Sequence, residues 1–433
     1  MEKTKVAIVG VGTVGSGVAK LLLDHGDRTA RHAGRALWLE KAVVQDMAKV
    51  RGCNLPSGVL TQDLNEVLKN PEISVVALLI GGLEPARSIM LQLLEAGKNV
   101  VTANKALLAE HGAELFDRAR ALGRCIAFEA AVAGGIPIIT NVSQCFSANQ
   151  ILSLQGILNG TSNFIVSQMD EQGWSYADAL AEAQRLGFAE ADPTMDVDGT
   201  DAAQKLAILA HLAFGARIGW RQIPRTGIHD LDDTDLRFAK ELGYRIKLIA
   251  GARLTPAGLE LSVSPTLIRK GHPLAEVRAN YNAISVIGDA VGDLFFHGQG
   301  AGQMPTASAV VADMIDVAVG RAPLTFRTLE LWSNRESPVS IRPDDDLPGR
   351  YYMRFQVADQ PGVMAKLTAI LGEQQLSIAS IIQHEPLKSS NDSTVQLVIM
   401  SHEASEGAAR LAVERIMDLP VVSGRSVRMR VME

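Results

Sequence analysis

The feature that most restricts the fold is a glycine-spaced loop at the start of the chain. Residues 5–9, Lys-Val-Ala-Ile-Val, form a strand-like run that is apolar from Val6. Gly10-Val-Gly12-Thr13-Val14-Gly15 follows, and a helical pattern runs from Val14 to Leu23. A strand, this loop and a helix in immediate succession predict the first βα turn of a dinucleotide-binding unit. Gly10 permits the tight turn, Gly12 lets the backbone approach a pyrophosphate, and Gly15 lets the helix pack on the strand. The helix start, with Thr13 and Val14 in its first turn, offers free N–H groups and positive dipole to phosphates.

The residues that follow obey the same plan. Leu37–Val44, Val75–Ile80, Asn99–Ala103 and Cys125–Phe128 are short strand-like runs, and Ala106–Leu122 has helical periodicity. Asp24–Arg35, charged and containing glycine, reads as a loop. Short apolar runs alternating with helices predict a parallel α/β sheet. Beyond residue 136 the pattern changes. Ala177–Leu186 and Ala202–Phe214 are helical, and residues 244–297 hold strand-like runs such as Leu259–Val263 and Ile284–Ile287. Pro305 then opens an apolar helix, Thr306–Val319, in keeping with proline at helix starts. Residues 338–350, PVSIRPDDDLPGR, read as a linker. The remaining 80 or so residues run strand (Tyr351–Val357), helix (Val363–Glu373), strand (Ile378–Gln383), strand (Val395–Met400), helix (Ala404–Met417), strand (Ser426–Val431). That βαββαβ order predicts a small ferredoxin-like sandwich.

Composition removes several classes. Of 433 residues, 42 are Lys or Arg and 48 are Asp or Glu, a net charge of −6. This balance lacks the basic field that non-specific nucleic-acid binding needs, and 5% aromatic residues are too few for base-stacking platforms. The most apolar stretch, Ile73 to Gly82, is about half the ~20 residues of a membrane-spanning helix and reads as a buried strand. The N-terminus lacks the apolar core of a secretory signal, so the expected location is cytoplasmic, without membrane or nucleic-acid partners. Three widely spaced cysteines, Cys53, Cys125 and Cys145, fit neither a disulfide framework nor a zinc site.

Two further segments carry chemistry. The second strand should end on the residue that reads the adenosine ribose. Asp46 there favours a free 2′-hydroxyl, as in NAD, whereas Lys49 and Arg51 suit a 2′-phosphate, as in NADP. The same residues would also serve as a turn-capping aspartate and solvated surface cations. Further on, Glu190, Asp192, Asp196, Asp198 and Asp201 crowd into twelve residues that lead to Lys205. Asp201 and Lys205, spaced i,i+4, share one helix face. Carboxylates there can hold an ammonium group, and a lysine on a buried helix can move protons. A solvated acidic loop with one surface ion pair is the plainer alternative.

The motifs in order are GVGTVG at 10–15, VTANKA at 101–106, FEAAVAGGIP at 128–137 and GILNGTSNFI at 156–165, then GFAEADPTMDVDGTDAAQKL at 187–206 and GQGAGQMPTASAV at 298–310. Together they resemble the monofunctional bacterial homoserine dehydrogenases with a C-terminal ACT domain, over essentially the whole chain. The resemblance implies a Rossmann-type nucleotide domain at 1–135, completed by the helix at about 303–320. It also implies an α+β catalytic and dimerisation domain at 136–302, a return segment and linker at 321–349, and an ACT domain at 350–433. The implied activity interconverts L-homoserine and L-aspartate 4-semialdehyde with NAD or NADP, in threonine, methionine and isoleucine synthesis.

Carried over residue by residue, the resemblance makes Lys205 the acid/base at the C4 oxygen and Lys105 a second active-site lysine close to cofactor and substrate. Glu190 becomes the homoserine-binding carboxylate, with Asp196, Asp201, Thr161 and Gly160 around the substrate. Glu129 with the backbone carbonyls of Val132, Gly134 and Ile136 matches a monovalent-cation site, usually given to Na⁺. Gly300 and Gly302 match a loop that closes over the cofactor. One departure is Gln45, where relatives commonly have Arg, and it favours use of both cofactors. The ACT resemblance rests on the turn Asp359-Gln-Pro361-Gly362-Val363 and implies an amino-acid effector, with threonine the leading candidate, in a homodimer or homotetramer. The competing readings are an amino-acid- or cofactor-sensing protein without catalysis, and a semialdehyde-oxidising enzyme working through a cysteine thioester. A fused aspartate kinase is excluded by length.

Overall fold

The computed structural model describes residues 2–329, 331–332, 339–384 and 394–432. Pro338, at the start of the expected linker, lies outside them, as do residues 330 and 333–337 of the expected return segment. The chain divides into two compact units: residues 1–152, 203–222 and 282–339 in the first, and 153–202, 223–281 and 340–433 in the second.

The first unit is built on β1 (Lys3–Val9), β2 (Ala36–Val43), β3 (Leu60–Thr61), β4 (Ile73–Leu78), β5 (Asn99–Thr102) and β6 (Ile126–Ala127). They form one parallel sheet in the order β3-β2-β1-β4-β5-β6, the doubly wound order in which ligands bind beyond the carboxyl ends of the strands. Val6, Ala7, Ile8, Val75, Val76, Ala77, Val100 and Val101 are buried, so both faces of the central strands are covered, as an all-parallel sheet demands. The helix Gln303–Ala318 packs on the helix Thr13–Asp24. The close approach is possible because residue 17 is glycine: a Cβ there would stand 2.9 Å from the Gln303 carbonyl oxygen and from the Ala307 methyl. Helix 303–318 begins two residues before Pro305, which occupies its first turn, where no amide donor is needed.

One expected loop is a helix. Residues Gly26–Ala33 coil between β1 and β2. The buried face of this helix is Thr29, Ala30 and Ala33, and two alanines with a threonine give that face little apolar signal in the sequence. Its ends add to that packing, with Asp27 in the first turn, Arg31 and His32 in the last, and Gly34 with φ of +66° closing it.

The second unit contains β7 (Ile151–Ile157), β8 (Tyr244–Thr255) and β9 (Gly258–Arg269), an antiparallel meander flanked by the helix Gly160–Gln172. The chain then passes through β10 (Tyr281–Gly288) and β11 (Gly292–Gln299), which belong to the first unit, before returning. The C-terminal part comprises β12 (Pro348–Ala358), a helix Val363–Glu373, β13 (Ile378–Gln383), β14 (Thr394–Ser401), the short β15 (Ala404–Ser405), a helix Glu406–Met417 and β16 (Val422–Met432). Its sheet runs β16-β12-β14-β13, the ferredoxin-like order that βαββαβ predicts. Alternation along β12 sends Tyr351, Met353, Phe355 and Val357 into a core with Leu367, Leu371, Ala409 and Ile416. The sheet does not stop at β16. Arg430, Val431 and Met432 pair in parallel with Thr266, Leu267 and Ile268 of β9, so the C-terminal sheet continues the β7-β8-β9 meander.

Candidate active site

The glycine loop has the shape its spacing implies. Gly10, at φ of +99°, donates its N–H to the Val43 carbonyl at 2.9 Å, joining the ends of β1 and β2. A Cβ on Gly15 would lie 2.1 Å from the Gly10 carbonyl oxygen, so only glycine closes this turn. Gly12 faces open space, and no side chain caps the helix that starts at Thr13. Open backbone at an uncapped helix N-terminus suits a pyrophosphate, so the residues present fit a dinucleotide.

Lys105 starts a helix, Lys105–Ala121, directly after β5. Its placement depends on Asn104, whose Oδ1 accepts from the Leu107 N–H at 3.0 Å while its Nδ2 donates to the Ile80 and Gly82 carbonyls at 3.1 and 2.7 Å. Ile80 also abuts Gly10, so the loop after β4 links the Lys105 helix to the glycine turn. The ribose-reading region behaves differently. The exposed Asp46 accepts the N–H groups of Ala48 and Lys49 at 2.8 and 3.3 Å, and Arg51 folds back onto the carbonyls of Asp46, Met47 and Lys49. Lys49 and Gln45 are exposed.

Glu129 is buried, and burial raises its carboxyl above the ordinary range. Oε1 accepts from the Ile139 N–H at 2.8 Å; Oε2 accepts from the Thr140 N–H at 2.8 Å and its hydroxyl at 2.5 Å. The carboxylate thus caps the helical turn that follows Pro137. Its own N–H donates to the Asp313 carboxylate at 2.8 Å; burial, and then Glu129, push Asp313 well up. The backbone beside it is tightly coiled, with Ala133 and Gly134 at φ of +53° and +42°. Gly134 is pressed against Gly300, where a Cβ would come within 2.5 Å of the Gly300 carbonyl oxygen. Gly302, at φ of +125°, leads into helix 303–318, which likewise lacks a side-chain cap. Among the described residues, no group of three or more His, Cys, Asp or Glu side chains is arranged to hold a metal ion.

In the second unit the acidic segment sorts itself into roles. Asp192 and Asp198 are turn formers, accepting the N–H and hydroxyl of Thr194 and Thr200 respectively. Asp196 and Asp201 converge on one buried side chain, Asn159, whose Nδ2 donates to both, at 2.7 and 2.9 Å. Asn159 Oδ1 meanwhile accepts the Ser162 N–H at 2.7 Å and caps the helix that begins at Gly160 and Thr161. Thr161 donates its hydroxyl to the Phe188 carbonyl at 2.7 Å, tying that helix start to the acidic segment. Glu190 is not part of this knot. Its side chain is exposed, while its carbonyl accepts from Gln184 Nε2 at 3.2 Å. Sequence reasoning missed Asn159 and Asn104. Each is a helix N-cap inside a motif, and asparagine directly before a helical run was the available signal.

The helix Thr200–Phe214 carries Asp201 in its first turn and Lys205 one turn later. Asp201, Ala202, Ala203, Gln204 and Leu206 are buried, and Lys205 emerges half-buried among them. The far end of the helix is anchored by His211. Its Nε2 accepts the Trp332 N–H at 2.7 Å, so the neutral ring keeps its proton on Nδ1, 3.1 Å from the Ala216 carbonyl. The ring stacks on Trp332 at 4.5 Å and 15°. Burial, foremost, pushes its pKa down from 6.5 to about 4. The resulting stability is complete above pH 6.5 and is lost as pH falls toward about 4, a contribution of about 3 kcal/mol. Urea unfolding from pH 7 to pH 4 should therefore show a wild-type loss that His211→Gln lacks; parallel curves would refute the anchoring role.

The cysteines offer no nucleophile at this site. Burial pushes the Cys125 thiol up to about 12, Cys53 is half-buried beside Arg51, and Cys145 is exposed. No described helix is long and apolar enough to cross a membrane.

Known proteins resemble the chain over its length. Residues 10–129 match the family model of the homoserine dehydrogenase NAD-binding domain, residues 137–315 that of homoserine dehydrogenase, and residues 351–421 that of the ACT domain. A homoserine dehydrogenase of Pseudomonas aeruginosa is 44% identical, covering 100% of this chain and 99% of its own. The crystal structure of a homoserine dehydrogenase from Thiobacillus denitrificans is 41% identical with a TM-score of 0.90, covering 100% of this chain and 99% of that one. A hyperthermophilic archaeal homoserine dehydrogenase mutant in complex with NADPH is 25% identical with a TM-score of 0.61, covering 73% of this chain and 98% of that one. By its motifs, its fold and these relatives, the chain belongs to the homoserine dehydrogenase family.

Proposed function

We infer that this NAD(P)-dependent oxidoreductase interconverts L-homoserine and L-aspartate 4-semialdehyde with Lys205 giving and taking the proton at the C4 oxygen. The observation that carries the assignment is the anchored helix Thr200–Phe214, which holds Lys205 half-buried one turn beyond an Asp201 fixed by Asn159. A lysine so held meets the geometric demand on a general acid/base, whose group must be positioned before its acidity matters. When bound, the nicotinamide supplies or accepts hydride at C4. Gly10, Gly12, Thr13, Val14 and Gly15 hold the pyrophosphate, Gly302 closes over the cofactor, and Lys105 serves cofactor and substrate. Gly160, Thr161, Asp196 and Asp201 shape the substrate site, and Glu190 receives the homoserine ammonium.

An exposed carboxylate is the easiest of these groups to remove without disturbing the fold. Glu190→Ala should raise KM for homoserine by roughly 10- to 100-fold, the worth of a charge-assisted hydrogen bond, with a much smaller change in kcat. An unchanged KM removes Glu190 from the substrate site.

For the cofactor we propose use of both NAD and NADP. Asp46 and Arg51 are bound up in their own turn, and Lys49 remains exposed for a 2′-phosphate. Gln45→Arg should then raise kcat/KM for NADP relative to NAD by about tenfold, one added charge-assisted contact. A ratio unmoved by the substitution would place the 2′-group elsewhere. For Na⁺ we keep the turn of Glu129, Val132, Gly134 and Ile136, supported by its coiled backbone. Because the Glu129 carboxylate already caps the turn after Pro137, carbonyl oxygens would supply most of the coordination. We further propose a cytoplasmic homodimer or homotetramer, the division at residues 135, 302 and 349, and feedback control by threonine at the turn 359–363. Activity with and without threonine tests the last of these.

A further inference from the structure

Lys247 stands within β8, paired with Thr266 of β9, and is only 3% exposed. A buried ammonium is costly, and a methionine would fill much the same space without that cost. Its Nζ donates to Asn163 Oδ1 at 3.0 Å and to Ser167 Oγ at 3.3 Å, one turn apart on the helix Gly160–Gln172, and to the Val277 carbonyl at 2.5 Å. All of these acceptors are neutral, so what the ammonium contributes to them is orientation.

Asn163 is the group it orients. A charged lysine only donates, so it turns Oδ1 toward β8 and leaves Nδ2 for the segment that leads into β10. Nδ2 donates to the carbonyls of Ala279 at 2.9 Å, Tyr281 at 3.2 Å and Val277 at 3.4 Å, where Ala279 sits at φ of +51°. With the amide reversed, its NH2 would face the ammonium and its oxygen would face those carbonyls. The backbone N–H of Asn163 donates to the Asn159 carbonyl at 3.3 Å, which also accepts the Ser162 hydroxyl at 3.1 Å. Asn159 in turn holds Asp196 and Asp201. One buried network thus runs from Lys247 through the start of the helix to both carboxylates.

We propose that Lys247 is a positioning residue of the substrate site, its ammonium orienting Asn163 and so fixing the first turn that carries Gly160 and Thr161. The inference rests on placing the substrate at Gly160, Thr161, Asp196 and Asp201. It has a consequence in pH. Burial, foremost, pushes the ammonium down from 10.5 to about 8; Asp170 and Glu171 on the helix oppose the shift, and Arg245 of β8 and Arg278 add to it. Asp170 is paired with Arg245 and Glu171 with Arg278, while Glu276 lies near both arginines. The helix Asp233–Glu241 also packs on β8, and its buried carboxylate, Asp235, is engaged by Arg354. A neutral amine has one donor fewer and a lone pair facing acceptors, so the hold on Asn163 slackens as pH rises through about 8.

The test is kcat/KM for homoserine at saturating NADP, from about pH 6.5 to about pH 9.5, in wild type and Lys247→Met, each checked for folding by circular dichroism. The ratio of the two enzymes at each pH cancels every group they share, Lys205 and the homoserine ammonium included. It should be about tenfold at the acid end, fall through a midpoint near 8 and approach unity at the alkaline end. The dissociation constant for NADPH should stay within about twofold, because the glycine loop lies outside this network. A ratio that does not change with pH overturns the proposal at any height, since a lysine that only fills space has no titration to show. Ser167→Ala, which removes one acceptor of the charged form without adding bulk, keeps the test open if Lys247→Met does not fold. Its fall in kcat/KM should begin at lower pH than that of wild type, and an unmoved fall overturns the proposal as well. Thr161→Val separates the inference from the reading beneath it. A raised KM there with a flat Lys247→Met ratio overturns the positioning role alone. A normal KM there overturns the placement of the substrate, and the positioning role with it.

Discussion

Lys205→Ala should lower kcat by about 10²- to 10⁴-fold while the dissociation constant for NADPH stays within about twofold of wild type. The range is what general acid–base catalysis is worth when the positioned proton donor is deleted and orientation of the other groups survives. Orientation should survive here because Lys205 is not what holds its helix. Asp201 is fixed by Asn159 at one end, and His211 is fixed by Trp332 and Ala216 at the other. Lys205→Arg should rescue little. A guanidinium keeps the charge but does not release its proton in the working pH range. Steady-state kinetics in both directions, with cofactor binding followed by fluorescence, separates the outcomes. A kcat within threefold of wild type in Lys205→Ala would remove the residue from the chemical step. Loss of cofactor binding together with kcat would mean that the substitution had damaged the fold instead.

The second large effect is expected at Arg354, far from that chemistry. Arg354 lies buried on the face of β12 that points away from the ACT core. It donates to Asp235 through Nε at 2.7 Å and Nη2 at 2.9 Å, to Asp232 through Nη2 at 2.6 Å, and to Gln396 through Nη1 at 3.2 Å. Tyr352 adds its hydroxyl to Asp235 at 3.0 Å. Asp235 is fully buried in the first turn of the helix Asp233–Glu241, and Asp232 is the N-cap of that helix. Burial disfavours both charges and raises the Asp235 carboxyl above its ordinary range, while Asp235 and Asp232 raise Arg354 above its own against the cost of burial. The cluster fastens the ACT sheet to the catalytic part.

Arg354→Ala strands the Asp235 carboxylate without its partner, which should cost about 3–5 kcal/mol. The triple change Arg354→Met, Asp235→Leu, Tyr352→Phe removes the buried ion pair and the tyrosine hydroxyl together, leaves Asp232 and Gln396 at the edge of the cluster, and should recover most of that loss. Chemical unfolding monitored on the first transition reads both. A loss below about 1 kcal/mol in Arg354→Ala would show that the cluster does not carry the attachment. A triple variant as unstable as the single one would show that packing shape, and not the stranded charge, sets the cost.

Legibility from sequence followed the range of the interaction. The glycine loop was readable because each glycine answers a local steric demand, and the clash of a Cβ at residue 15 with the Gly10 carbonyl lies within five residues. The βαββαβ order was readable because strand and helix periods are local. The helix Gly26–Ala33 was not, since its buried face is built from Thr29, Ala30 and Ala33, residues too small or polar to mark a stripe. Within the acidic segment, sequence could gather five carboxylates but not rank them. Only the fold brings Asp196 and Asp201 to Asn159, 37 and 42 residues away, and leaves Asp192 and Asp198 as turn formers.

Periodicity and turn chemistry act between near neighbours, so the order of residues alone specifies the parallel sheet and its phosphate-ready loop, the helix that carries Asp201 and Lys205, and the C-terminal sandwich. Contacts between distant residues are needed to show that Glu129 caps a turn, that β16 extends the β9 meander, and that Arg354 is buried in an ion-pair cluster. A period of two separates Tyr351, Met353 and Phe355 from Tyr352 and Arg354, but nothing local states whether the second face meets water or another part of the chain. That is settled by the surface that arrives from residues 232–241, and so by long-range packing alone.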